Sequence, residues 1–250
     1  MTASRRALSA ALLCAAAFAA TQPASAGVTD RLRDSLFRHR GGEPSGMPLA
    51  RYVSEEGRAF VLDRTQPAPM IKFEDSPEVW VLVPSPAPRG DVVYRNDMGE
   101  PVLRATRLGG FTLFSDERPS GEAVSLAGAA QPLRMLALSP QALAERMLQA
   151  SVRSGRAAHH PVVFEAEATP ASAALIADAA TLVSLAYLRL AGADGGRALL
   201  ARVGKVQFME GKKCSVAIVK DVMRIVVAPT QGLAGRPSSD RISKALRIGS

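Results

Sequence analysis

Apolar residues recur along this chain with a period that changes several times, and each change marks a boundary. Residues 7–20 (ALSAALLCAAAFAA) are apolar or small, without one charge. Val28, Leu32 and Leu36 then fall on one helical face, with Thr29 or Asp30 able to cap and Arg31, Arg33 and Arg38 decorating the other side. That spacing predicts a short helix over Gly27–Arg40, followed by a linker in the Gly- and Pro-rich stretch Gly41–Pro48. From Arg51 the period falls to two. Tyr52-Val53 and Ala59–Leu62 flank Ser54–Gly57 as a hairpin. Met70–Phe73, Val79–Val83, Asp91–Arg95, Val102–Thr106 and Gly110–Phe114 read as further short strands. The turns between them are rich in Pro and Gly, among them PSPAPRG (84–90) and NDMGEP (96–101). Regular short strands of this kind predict an antiparallel meander, a curled sheet or half-barrel.

The period lengthens again past residue 138. Ser139-Pro140 supplies an N-cap and a first-turn proline, and Leu143, Met147 and Leu148 line a helix that runs to Gly155. Pro161–Ala168 reads as a strand. Thr169-Pro170 opens the longest helix, Ala171–Ala191, apolar on nearly every side. Its length would suit a membrane span, but Asp178 near its middle, Arg189 near its end and the dominance of Ala favour a helix buried in a protein core. Leu199–Met209, Lys213–Val219 and Val222–Ala228 are strand candidates, the last two joined by a turn at Lys220-Asp221. Pro229–Ser250 is Gly-, Ser- and Arg-rich, and is expected to be a disordered basic tail with at most one helical turn near Ile242–Leu246. The expected architecture is α+β: an antiparallel β-meander packed with two main helices and a C-terminal β-hairpin. The domains are then 1–26 (signal peptide), 27–48 (N-terminal helix and linker), 49–228 (one α+β domain) and 229–250 (tail).

The signal peptide follows from the first change of period. Arg5 and Arg6 form a basic start, residues 7–20 an apolar run too short to span a bilayer, and Ala24-Ser25-Ala26 an A-x-A site that places cleavage between Ala26 and Gly27. Ala11 and Leu13 are in the wrong order for a lipobox at Cys14. Ser4–Leu8 partly matches a twin-arginine signal, which leaves twin-arginine export as the alternative to general secretion. The expected address is the periplasm, with the extracellular medium as the alternative.

Composition narrows the picture modestly. The formal net charge is +8, and it falls to +6 without Arg5 and Arg6 because residues 1–26 hold no acid. The arginines are interspersed with acids, as in SEEGR and DERPS, and form no aromatic-interleaved basic stripe, so nucleic acid is not an expected partner. An unidentified envelope component is, with a weak contact of the basic tail to anionic membrane as a further expectation. Once Cys14 is removed, Cys214 alone remains and no intrachain disulfide can form. Cys214 itself, in KKCSVAIV, reads as a buried, inert thiol in a strand beside apolar residues.

RYVSEEGRAFVLDR (Arg51–Arg64), IKFE (Ile71–Glu74) and RLGGFTLFSDERPSG (Arg107–Gly121) resemble an uncharacterised family of exported alphaproteobacterial proteins, catalogued only as a domain of unknown function. The resemblance covers most of the chain after the signal peptide. It implies no activity and carries over no functional residue.

Catalytic signatures are missing. G-x-S-x-G, S-x-x-K, H-E-x-x-H, C-x-x-C, G-x-G-x-x-G, P-loop and EF-hand patterns do not occur, and neither a cofactor nor a metal is expected. The weak catalytic candidates are His159, His160, Glu165 and Glu167. Adjacent histidines on a strand point to opposite faces, which argues against a shared ion and for a solvated pair before Pro161. Glu165 and Glu167 share a strand face, a pattern that serves glycosidases but is commoner on any exposed alternating strand. Gly109-Gly110 and Arg118 suit an anion-holding loop or, more simply, a tight turn. Trp80, among valines, and Tyr52 read as core. The function these features suggest is a non-enzymatic binding or structural module of the envelope, with a hydrolase of an envelope polymer or ester as the alternative.

Overall fold

From Leu49 onward the chain lays down nine antiparallel strands, and inward and outward side chains alternate most regularly in the first, Leu49–Ser54. The computed structural model describes residues 47–248. The signal peptide with its Ala26–Gly27 site, the helix expected at 27–40 and most of the linker lie outside the described residues. The fold is α+β, with a curled antiparallel sheet as the alternation indicated.

The first sheet contains β1 (Leu49–Ser54), β2 (Ala59–Asp63), β3 (Met70–Phe73), β4 (Val79–Val81), β5 (Val83–Pro86), β6 (Val92–Arg95), β7 (Pro101–Ala105), β8 (Phe111–Leu113) and β9 (Glu122–Gly128), in the order β4-β3-β2-β1-β9-β8-β7-β6-β5. Its two edge strands, β4 and β5, are separated in sequence by Leu82 alone, so one stretch of chain serves both edges and nearly closes a barrel. Leu82 itself is 1% exposed, and its amide donates to the Pro69 carbonyl at 2.8 Å. The interior is filled by side chains. Tyr52 lies against Phe60 and Phe111, with ring centroids 5.7 and 5.0 Å away, and Phe60 contacts Phe73. Trp80, expected in the core, is only half-buried and meets Phe73 edge-on.

Two strands correct the sequence reading. Val79–Val83 is not one strand, because the chain changes sheet edge at Leu82. The following PSPAPRG, expected as a turn, supplies β5 with Pro84 and Pro86 before turning at Pro88–Gly90. Proline is tolerated there because β5 pairs only with β6. β9 was not anticipated at all, yet it joins β1 to β8.

The rest of the chain forms a second layer with its own core. It runs α1 (Pro140–Ala158), β10 (Val163–Ala166), α2 (Ala173–Ala191), α3 (Gly196–Leu200), β11 (Lys205–Glu210), β12 (Ser215–Val219), β13 (Val222–Val227), a 3-10 segment Pro229–Gly235 and α4 (Ser239–Ile248). The sheet order is β10-β11-β13-β12; the β10–β11 and β11–β13 pairs are parallel, and β12–β13 is the expected hairpin. Val206, Phe208, Met223 and Ile225 face α2, whose Leu175, Ile176, Leu182 and Tyr187 are fully buried. Among the described residues α2 is the one helix long and apolar enough to cross a membrane, and two-thirds of that window is buried within the protein.

Residues 229–248 are ordered, contrary to the expected disordered tail. Ile242 and Leu246, one turn apart on α4, are 0% and 1% exposed within the helical core. Their spacing was visible, but the contacts that hold α4 come from residues distant in sequence.

Candidate binding groove

α1 begins where the Ser139 hydroxyl accepts from the Ala142 amide at 3.2 Å. It continues past Gly155 to His159, whose left-handed backbone (φ 61°) ends it. One stripe, including Leu143, Met147 and Ala150, is buried in the helical core. A neighbouring stripe is not covered: Leu148 and Val152 are 66% and 43% exposed, and Val163 across from them on β10 is 51% exposed.

Between α1 and β10 these residues border an open groove of about 530 Å³, walled by Leu143, Met147 and Leu148 on the helix and by Val163, Phe164 and Ala166 on the strand. A second hollow, about 440 Å³, continues from Ser151 and Val163 along Val152 and Gly155 to Arg156 and His160. The Ser151 hydroxyl donates to the Val162 carbonyl at 2.6 Å and pins the helix to the strand between the two. Gly155 brings the next loop close, since a Cβ there would stand 3.1 Å from the His160 carbonyl oxygen. The lining is apolar with a few polar groups, the usual composition of a ligand site.

The residues singled out as catalytic candidates are not brought together into a reactive set. His159 serves as the helix end. The His160 ring lies with Nδ1 2.9 Å from the Pro161 carbonyl oxygen and Nε2 3.3 Å from that of Leu200, so both nitrogens face backbone acceptors. Among the described residues no serine or carboxylate hydrogen-bonds to either histidine. Glu165 is on the exposed face of its sheet, 2.8 Å from Lys205 Nζ, and its hydrogen bonds with Lys205 and Gln207 hold its carboxyl below the ordinary value. Glu167, just past β10, is also exposed and gives its amide to the Phe208 carbonyl at 3.0 Å. Arg118 is paired with Glu56, which occupies the charge an anion-holding loop would have used. No group of three or more His, Cys, Asp or Glu able to hold a metal occurs among the described residues.

Sequence reasoning missed the groove. Leu148, expected to line the same face as Leu143 and Met147, is exposed instead, and with Val152 it marks the groove.

The family model described as Domain of unknown function (DUF4908) matches residues 31–246. The chain belongs to the DUF4908 family. No curated protein and no solved structure matches it. The family match takes in both layers and nearly all of α4.

Within that family domain the two layers are joined by a polar cluster around the start of α4. Arg236, 5% exposed, meets the Asp178 carboxylate of α2 and donates to the Val79 carbonyl of β4 at 2.7 Å. Ser238 donates to Asp97 of the β6–β7 loop at 2.6 Å, and Arg189 of α2 reaches Asp240 at 2.8 Å. Asp178, read as a mark against a membrane span, is thus half of a buried-edge ion pair. At the opposite end of the barrel Asp63, fully buried, accepts from the Thr65 and Leu133 amides at 2.9 Å each. Burial pushes its carboxyl up, but these hydrogen bonds outweigh burial and hold it below the ordinary value. The connection from β9 to α1 is anchored there.

Cys214, one position before β12, is half-buried, and burial pushes its thiol up from the ordinary value. That is the opposite of what an activated nucleophile needs.

Proposed function

We propose that the chain is exported, most directly to the periplasm, and acts there as a non-enzymatic binding module whose ligand site is the groove between α1 and β10. The observation that carries this reading is the groove itself: large side chains from two elements border a cavity that nothing in the described chain fills. An exposed apolar surface costs stability and solubility unless a ligand or partner uses it. The n-region, apolar run and A-x-A site supply the export half of the proposal, and the resemblance to exported alphaproteobacterial proteins points the same way. A hydrolase reading needs a free base beside a nucleophile, and both nitrogens of His160 are turned to carbonyls instead. Any contact of the basic C-terminal segment with anionic lipid would come from outward residues of α4 such as Lys244, since Ile242 and Leu246 are inside.

Two measurements test this reading. Fractionation followed by N-terminal sequencing should recover a periplasmic protein beginning at Gly27; recovery of the intact N-terminus in the cytoplasm would overturn export. A photo-crosslinking residue at Leu148 should capture a discrete envelope component that the same residue at Lys244 does not.

A further inference from the structure

We infer that the groove takes a short, free-ended peptide in extended conformation, which adds as a strand to the open edge of β10 and runs antiparallel to it. This rests on the binding reading above and names the ligand class.

The edge comes first. β10 bonds to β11 on one side only. The Val163 and Glu167 amides donate to the carbonyls of Gly204 and Phe208, so the alternation of a parallel ladder turns the peptide groups of Phe164 and Ala166 away from β11 and toward the groove. Edges left open in this way are usually blunted by charge, proline or a covering element. Here the one charge on the strand, Glu165, is held by Lys205 of β11, and the hydrogen bond from the neighbouring helix, Ser151 to Val162, falls one residue before the strand begins. An added strand would place alternate side chains against Met147 and Leu148 on one side and Val163 on the other.

Charge sets its direction and its ends. Along the outer rim α1 carries Glu145 near its start and Arg156 near its end, both exposed. Glu145 is bonded only to the uncharged Gln141, and Arg156 enters no ion pair among the described residues. The residues bordering the groove and its extension include no acid. A peptide antiparallel to β10 brings its carboxylate to Arg156 and its ammonium to Glu145, so both ends meet an opposite charge. The spacing fixes a length: eleven helical steps at ~1.5 Å give about 16 Å, which about five extended residues cover at ~3.3 Å each.

The test is calorimetric titration of the chain lacking its signal peptide with a peptide of that length, alternating valine and threonine, with both ends free. Saturable binding is expected. Blocking both ends, or Arg156→Glu with the free peptide, should weaken it about tenfold or more, a loss of about 1.4 kcal/mol. Methylating alternate backbone amides should abolish it, because the added ladder needs those donors. Leu148→Asp, an exposed position that leaves the core intact, should also abolish it, with circular dichroism confirming the fold. Equal binding by the N-methylated peptide would overturn strand addition. If no peptide binds but an aliphatic fluorescent probe saturates the protein and is released by Leu148→Asp, the peptide inference is wrong while the binding-module reading stands. If neither binds, both fail.

Discussion

Ser239 gives both its backbone amide and its hydroxyl to the carboxylate of Glu78, across 161 positions of sequence. Both residues are fully buried, one in the β3–β4 loop of the barrel and the other at the start of α4. A carboxylate at a helix N-terminus satisfies unpaired amides and meets the positive end of the helix dipole. Glu78→Ala removes that acceptor and leaves buried donors unpaired, which should cost about 2–4 kcal/mol in urea unfolding. The loss should also uncouple the two layers. Fluorescence of Trp80, in the barrel, should then report a different midpoint from the far-UV helical signal, which comes from the other layer.

The same joint makes stability depend on pH. Burial pushes the Asp240 carboxyl up to about 6; Arg189 pulls it down, while Glu78, Glu100 and Asp97 add to the rise. A carboxyl raised in the folded state is protonated there before it is in the unfolded chain, whose value is near 3.8. Its contribution is therefore fully present below about 4 and is lost as pH climbs to about 6, since the unfolded state binds fewer protons across that window. Asp240→Asn should remove that slope, raising the neutral-pH midpoint relative to the wild type while changing little at pH about 4. A steeper decline in the variant over the same range would contradict the assignment.

How much of this was legible before the structure depended on how local the information was. α1 and α2 could be read because apolar spacing and the Ser139 cap lie within each element. β9 could not: in EAVSLAG only Glu122 is fully buried, so the strand shows no strong alternation and is defined by pairing with β1 and β8. α4 carried a correct i, i+4 pair in Ile242 and Leu246, but Gly, Ser and Arg dominated the segment, and its anchors, Glu78 and Arg189, lie far upstream. The groove was beyond reach for a related reason. Both of its walls were anticipated as elements, yet Leu148 and Val163 become informative only when they are seen to be exposed side by side. No periodicity could reveal that His160 faces two carbonyls.

Gly121 tests whether the RPSG bend is a structural device. Its φ is +83°, and a Cβ there would stand 2.4 Å from Thr112 Cγ2 and 2.9 Å from a Phe114 ring carbon. Gly121→Ala therefore meets both an unfavourable backbone region and a clash on the neighbouring strand. The expected loss is about 1–3 kcal/mol, read as a lower thermal midpoint. Gly57 is the control. Its φ of +85° is just as positive, but nothing lies within 4 Å of the added carbon. Gly57→Ala should cost only the backbone share, about 1 kcal/mol.

Leu82 is where barrel closure can be challenged most directly. Residues on either side of it pair with opposite edges of the sheet: Val81 lies opposite Met70 on β3, and Val83 opposite Arg95 on β6. The side chain between them is 1% exposed in the barrel core. Shortening it removes packing at the point where the two edges meet, so Leu82→Ala should cost about 2–5 kcal/mol, as other buried leucines do. The location of the damage distinguishes closure from ordinary packing. Amides of β3 and β6 should lose hydrogen-exchange protection together, although they lie at opposite ends of the strand order, while β1 and β9 in the middle keep theirs. Leu103→Ala, equally buried on the interior strand β7, should be similarly destabilising without that paired loss. If β3 and β6 respond independently in the Leu82 variant, the stretch 79–86 does not couple the two edges.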